Sequence, residues 1–275
     1  MSLDLRAYLE RIRWTGPAAP DASLATLRAL HLAHATSIPF ENLDIQLGRP
    51  IRLDLDSVQA KLVGARRGGY CFEQNALFAA VLEACGFRLT RLCGRVRMGR
   101  PADAPVPPRT HMVLRVELPE GPHLADVGFG SDELLYPVPL VAGVDHPQEA
   151  WCYRLEREGD AWVLRSRQPE GWIDLYVFTT EPQHPIDYEV ANHFTSTHPS
   201  SRFVLSLTAQ RATPEVRYIL RNREYEEVRP ERRERREVAS AEELLVILDE
   251  RFGLRFPPGT TFRNPVFPSE PEEKP

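Results

Sequence analysis

The segment RRGGYCFEQN, residues 66–75, sets a single thiol behind a pair of glycines and ahead of a helix-forming run. A cysteine so placed can serve as a nucleophile, a metal ligand or a packed hydrophobe. The first use has a local physical basis. Backbone N–H groups in the first turn of a helix are unpaired and partly positive, which favours a thiolate at Cys71. Arg66 and Arg67 add positive charge close by in sequence, and Gly68 and Gly69 permit a tight turn with room for a substrate. The other thiols sit differently: Cys85 in the apolar VLEACGF, Cys93 in a β-favouring run, and Cys152 beside aromatic residues. These three read as structural. No pair has C-x-x-C spacing, and the chain lacks H-E-x-x-H, an EF-hand loop, a Walker A segment and G-x-G-x-x-G. No metal site and no resident cofactor are therefore expected.

A cysteine nucleophile needs a base, and the base needs a group to orient it. Eight histidines are available. His31 and His34 fall in a helical pattern and are expected as surface or partly buried residues, while His123, His146, His184, His193 and His198 fall in turns or loops. His111 opens HMVLRVEL, where Met112, Leu114, Val116 and Leu118 form one apolar face and the imidazole takes the other. The next β-favouring run, HLADVGFG, ends with Asp126 before a glycine-rich turn. A hairpin joining the two runs would bring Asp126 beside His111. A satisfied strand histidine and a turn-forming aspartate would leave the same pattern, so spacing alone keeps both readings open.

The elements that must position these residues change character along the chain. Through residue 86 the pattern is helical: LDLRAYLERIRW, then DASLATLRALHLAHATS with an N-cap at Ser23 or Asp21, a loop over ENLDIQLGRPIRLD, the short LDSVQAKLV, and CFEQNALFAAVLEACGF closed by Gly86. From about 88 to 190, RLTRLCGRVRM, THMVLRVEL, HLADVGF, AWVLRSR and WIDLYVFT predict short strands, with a hairpin at Gly159 and an exposed loop over GRPADAPVPPRT. That pattern predicts an antiparallel barrel or sandwich. The remainder mixes both types. RFVLSLTAQ and VRYILRNREYEEV predict strands, and SAEELLVILDERFGL predicts a helix with a capping box from Ser240 to Glu243. Between them RPERRERRE reads as a solvated face.

Composition narrows the partners. The chain has 275 residues, 42% hydrophobic and 27% charged, with a net charge of −5 spread through both signs. No basic field points to nucleic acid, and no polybasic or long apolar run points to a membrane. The N-terminus alternates charged and apolar residues, unlike a signal peptide, so a cytoplasmic protein is expected.

RGGYCFEQN fits the R-G-G-x-C-x-E-x-N block of the arylamine N-acetyltransferase family at every fixed position, and PRTHMVLRV and LADVGFG resemble the family's histidine and aspartate segments. IPFENLD, NHFTSTHPSSRF and RFGLRFP resemble further segments in the same order. The resemblance implies an α+β fold of three parts: a helical bundle over 1–86 with the nucleophile, an antiparallel β-barrel over 87–190 with the histidine and aspartate, and an α/β lid over 191–275. The core would be similar to that of cysteine proteases. It implies a catalytic triad of Cys71, His111 and Asp126, and a substrate pocket lined by Phe40, Thr110, Phe129 and Gly130. Acetyl-CoA would be the co-substrate and small aromatic amines, hydrazines or N-hydroxyarylamines the acceptors. Glu41 and Arg67 would form an ion pair under the cysteine loop, with Glu73 and Asn75 tuning the cysteine or capping its helix. The competing reading is another Cys-His-Asp enzyme, a cysteine hydrolase or a transglutaminase-like protein.

Overall fold

The computed structural model describes residues 2–101, 103–130, 132–265 and 267. Its helices are α1 (Leu5–Arg11), α2 (Leu24–Ser37), α3 (Leu43–Gln46), α4 (Leu55–Gln59), α5 (Cys71–Ala84), α6 (Pro185–Thr197), α7 (Arg202–Leu205) and α8 (Ala241–Phe252). A π-helical turn, Ala60–Gly64, extends α4. The strands are β1 (Phe40–Glu41), β2 (Arg88–Val96), β3 (His111–Glu117), β4 (His123–Ala125), β5 (Val138–Pro139), β6 (Asp145–Gln148), β7 (Trp151–Glu158), β8 (Ala161–Gln168), β9 (Gly171–Phe178), β10 (Thr208–Ala212), β11 (Arg217–Arg221), β12 (Glu224–Arg229) and β13 (Arg232–Glu237). No helix among the described residues is long and apolar enough to cross a membrane.

Helix α5 organises the first layer. Ten of its fourteen residues are buried, including the polar Glu73, Gln74 and Asn75 of its first turns, so it runs through the middle of the protein with little exposed face. It packs against α4, β2 and β3. Fully buried Phe72, Leu77 and Phe78 anchor it, each stabilising the fold by about 1.5–3 kcal/mol through apolar burial. Its start is fixed by Glu73, whose carboxylate accepts from the Tyr70 amide at 3.1 Å, and Gly86 ends it with a positive φ of 85°.

Strands β5-β4-β3-β2-β9-β8-β7-β6 make one eight-stranded antiparallel sheet, a barrel left short of closure because β5 and β6 do not pair. The hairpin at Gly159 forms between β7 and β8, pairing Glu158 with Ala161. A second antiparallel sheet, β1-β10-β11-β12-β13, packs against α8. Ser240 accepts from the Glu243 amide as the capping pattern requires, and Glu243 reaches back to the Ala239 amide. All six residues of β13 are exposed, so the charged run is a solvated edge strand.

Several local expectations change. ENLDIQLG is not a plain loop: Phe40–Glu41 pairs with β10, and Leu43–Gln46 turns once as helix with all four residues buried. RFVL is helical, and the strand starts only at Thr208, because Ser201 caps the turn by accepting from the Phe203 amide. Residues 185–197, of which only 192–197 fall in the family-like segment NHFTSTHPSSRF, form a helix with proline in its first turn. Strand β3 is buried on both faces, since Met112, Leu114 and Val116 join the core around α5 while Val113 joins the barrel core. The expected single apolar face of β3 is thus two.

Candidate active site

Cys71 is the first residue of α5, His111 the first of β3, and Asp126 directly follows β4. The β3–β4 ladder pairs Leu114 with Ala125, which carries Asp126 back toward the start of β3. His111 Nε2 and Asp126 Oδ2 lie 2.7 Å apart, both side chains almost fully buried. That bond leaves Nδ1 of the imidazole for proton traffic with other groups. Cys71 and His111 line one cavity of about 640 Å³. The Cys71 thiol donates to the Thr110 carbonyl at 3.4 Å. The loop after Asp126 passes close behind: a Cβ at Gly128 would fall 2.9 Å from the Cys71 Cα, so only glycine fits there.

The electrostatics at the sulfur oppose one another. Burial pushes the Cys71 thiol up, the Met112 amide pulls it down, and the negative charge of Asp126 pushes it up again. A lone thiolate there would be costly. A thiolate and an imidazolium made together, by moving one proton from Cys71 to His111, compensate each other. Asp126 suits that role: burial would raise its pKa, but His111, Asn75 and the Gly128 amide outweigh burial and hold the carboxyl below its usual range.

The positive charge expected from Arg66 and Arg67 goes elsewhere. Arg67 binds Glu41 at 2.7 Å and Asp44 at 3.3 Å, and Lys61 bridges Asp44 at 2.9 Å and Glu73 at 2.8 Å. Arg66 points to solvent. This ionic network clamps the cysteine loop to residues 41–44, with Glu41 and Glu73 almost wholly buried. Nor do the paired glycines leave room for a substrate: a Cβ at Gly68 would sit 2.1 Å from the Pro39 carbonyl oxygen. The glycines let the loop lie against the protein's own backbone.

Asn75 is buried, so surface capping does not describe it. Its Nδ2 donates to Asp126 Oδ1 at 2.9 Å and to the Met112 carbonyl at 2.8 Å, and its Oδ1 accepts from the Val127 amide at 3.1 Å. One side chain thereby ties α5, β3 and the Asp126 loop together. His31 is likewise fully buried, more than the surface or partly buried place expected for it, and its Nε2 accepts from the Asp126 amide at 3.2 Å. Burial pushes its pKa down to about 4, so it stays a neutral acceptor. His34 is buried between Tyr8 and Gln74. Tyr176 of β9, read from sequence only as part of a strand, packs its ring at a tilt 4.6 Å from that of His111.

Of the residues expected to meet substrate, Phe40, Thr110 and Phe129 line the cavity. The Phe129 ring stands edge-on to His111 at 5.2 Å. Gly130 is not among the lining residues; its Cβ direction faces Gln210 and Phe40. No group of three His, Cys, Asp or Glu among the described residues could hold a metal ion.

A family model described as N-acetyltransferase matches residues 23–259. With the mixed helical and barrel fold, this makes the chain an acyl-transferring enzyme. The arylamine N-acetyltransferase of Mycolicibacterium smegmatis is 45% identical over 257 residues, 92% of this chain and 93% of that protein. The arylamine N-acetyltransferase / N-hydroxyarylamine O-acetyltransferase of Salmonella typhimurium is 40% identical over 215 residues, 78% of this chain and 75% of that one. The solved structure of Mycobacterium marinum arylamine N-acetyltransferase in complex with CoA superposes with a TM-score of 0.88 at 39% identity, covering 91% of this chain and 93% of that one. The chain belongs to the arylamine N-acetyltransferase family, which sets aside the hydrolase and transglutaminase-like readings.

Proposed function

We propose that this enzyme transfers the acetyl group of acetyl-CoA to aromatic amines, hydrazines or N-hydroxyarylamines through an acetyl-Cys71 intermediate. The observation that carries the reading is the 2.7 Å His111–Asp126 contact at a cavity that also holds Cys71, in a chain of this family. As the sulfur attacks the thioester carbonyl, the Cys71 proton passes to His111. CoA then leaves and takes that proton back as its thiol. In the second half the amine nitrogen attacks the acetyl-cysteine, gives its proton to His111, and the proton returns to the Cys71 sulfur as the amide departs. One thioester replaces another in the first half, so the step needs little driving force. An arylamine is weakly basic and neutral near pH 7, ready to attack without prior deprotonation. Asp126 orients the imidazole and stabilises its charge, and the backbone N–H groups at the start of α5 receive the oxyanion. Phe40, Thr110 and Phe129 shape the acyl and amine pocket, with Gly130 behind it.

In this reading residues 1–86 supply the nucleophile, 87–190 the base and its partner, and 191–275 the far wall of the cavity. Four free cysteines and intermixed charge suit a reducing cytoplasm with no nucleic acid or membrane as partner. Mass spectrometry after incubation with acetyl-CoA tests the proposal. One acetyl group should appear on Cys71 with release of CoA, and an arylamine should discharge it. If Cys71 stays unmodified, or if Cys71→Ala still turns over, the covalent mechanism is wrong.

A further inference from the structure

The cavity that holds Cys71 has a mouth of a different chemical kind. Among the described residues lining it, Arg100, Arg202 and Arg221 carry full charges, and no Asp or Glu joins them. The chain as a whole has a net charge of −5, so this mouth is positive against an acidic background. The three arginines come from separate elements: the turn after β2, the start of α7 and the end of β11. None has a carboxylate within ion-pair distance among the described residues, whereas most arginines elsewhere in the chain do. Glu224, the register partner of Arg221, is already paired with Arg235. The Arg100 guanidinium donates to the Pro105 carbonyl at 2.8 Å.

The side chains keep contact with water, yet they feel one another. Burial in the concave wall, then the positive charge of Arg221 and Arg100, hold the Arg202 guanidinium below its ordinary value. Three like charges around one opening cost free energy that only an anion relieves. Guanidinium groups pair bidentately with phosphate oxygens. A simple aromatic amine carries no phosphate, whereas the nucleotide end of CoA carries a diphosphate and a 3′-phosphate.

We propose that Arg100, Arg202 and Arg221 form the site for the phosphate groups of the acyl-CoA, holding the donor by its charged end while its thioester reaches Cys71. This rests on the acetyl-CoA reading above. It separates two tasks along one cavity: charge recognition at the mouth, acyl chemistry at the floor.

The test compares donors. For the wild type, Arg202→Ala, Arg221→Ala and the double variant, kcat/KM is measured with acetyl-CoA and with S-acetylpantetheine, which has the same thioester arm without phosphate. The ratio of the two values should fall roughly tenfold per arginine, the loss expected for a charged hydrogen bond at a partly exposed site. Lysine at either position should restore part of it. Raising the salt concentration should lower the ratio for the wild type and leave that of the double variant nearly flat. Equal losses with both donors, or a loss that depends on a carboxylate on the amine, would overturn the assignment.

Titration calorimetry with CoA reads the site without turnover. Affinity should drop for the double variant, and repeating the titration with dephospho-CoA assigns the loss to the 3′-phosphate or the diphosphate. Unchanged CoA affinity would overturn the proposal even if acetyl transfer is intact. A wild type that binds CoA through these arginines but leaves Cys71 unacetylated would instead remove the acetyl-transfer reading.

Discussion

The two ends of the cavity follow opposite rules. At the floor, His111, Asp126, Asn75 and the Asp126 amide all have protein partners, and the cysteine loop is clamped by buried ion pairs. At the mouth, no carboxylate among the described residues pairs with the three arginines. Groups that move protons must be held in one geometry and protonation pattern before substrate arrives, which requires a complete set of protein partners. Groups that bind a charged substrate gain most when left unsatisfied, because a partner in the protein would compete with the ligand. For His111, Asp126 and Asn75, satisfaction by the protein accompanies chemistry; for the mouth arginines, the lack of a carboxylate accompanies recognition.

The largest expected effect tests the floor. Asp126→Asn preserves shape and removes the charge that makes an imidazolium affordable at His111. We expect kcat to fall on the order of 10²–10⁴-fold. The pH midpoint for alkylation of Cys71 by iodoacetamide should rise by about one to two units, because the imidazolium made together with the thiolate loses its carboxylate partner, and this outweighs the relief of the direct repulsion between Asp126 and the sulfur. An unmoved midpoint would show that Cys71 ionises without help from the pair. The variant also changes acid stability. The folded pKa of Asp126 is depressed, so its stabilising contribution is complete above the unfolded value of about 4 and is lost as pH falls through the lower folded value. Denaturant titrations between pH 2 and 5 should show a shallower acid decline for Asp126→Asn than for the wild type.

Next comes the clamp. Arg67→Met leaves the buried Glu41 carboxylate without its guanidinium, which should destabilise the protein by about 3–5 kcal/mol in urea unfolding. A loss below about 1 kcal/mol would mean that water relieves Glu41 and that the floor is less closed than described. Asn75→Ala should cost roughly 1–3 kcal/mol through the polar groups it orphans, with kcat falling and KM for acetyl-CoA little changed. A change confined to KM would move Asn75 from orienting Asp126 to contacting substrate.

The floor was far more legible in the sequence than the reasons for it. Strand patterning put His111 at the start of a strand and Asp126 at the end of the next run but left both readings open; the resemblance to the family singled the pair out, and the β3–β4 ladder supplies the register. What periodicity could not show was the use of long-range neighbours. Arg67 is close to Cys71 in sequence but spends its charge on Glu41 and Asp44, and Gly68 makes room for the Pro39 carbonyl instead of a substrate. His31, 95 residues from Asp126, has no sequence signal beyond a helical face, and Asn75 is identifiable only by its place in the cysteine block. RFVL became a helical turn because a serine cap outweighed β propensity over four residues. The mouth arginines are scattered over positions 100, 202 and 221, and nothing local distinguishes them from the chain's other arginines. Only the fold shows which of them lack partners.

The smallest expected effect is also the sharpest test of the comparison. Strand β13 carries four arginines, a denser positive run than the mouth, so charge density alone would nominate it as the phosphate site. Its arginines, however, face carboxylates: Arg232 meets Glu234 at 2.9 Å, Arg233 meets Glu226 at 3.8 Å, Arg235 pairs with Glu224, and Arg236 pairs with Glu243. Exposed pairs of this kind contribute about 0–1 kcal/mol each. Replacing Arg232 and Arg233 by Gln should therefore shift stability by no more than about 0.5 kcal/mol. The donor ratio, acetyl-CoA over S-acetylpantetheine, should change by less than about twofold, against the roughly tenfold expected for each mouth arginine. A tenfold fall in that ratio from the β13 substitutions would mean that incoming phosphate readily displaces surface carboxylates. Pairing in the resting structure would then no longer separate arginines that bind from arginines that merely solvate an edge.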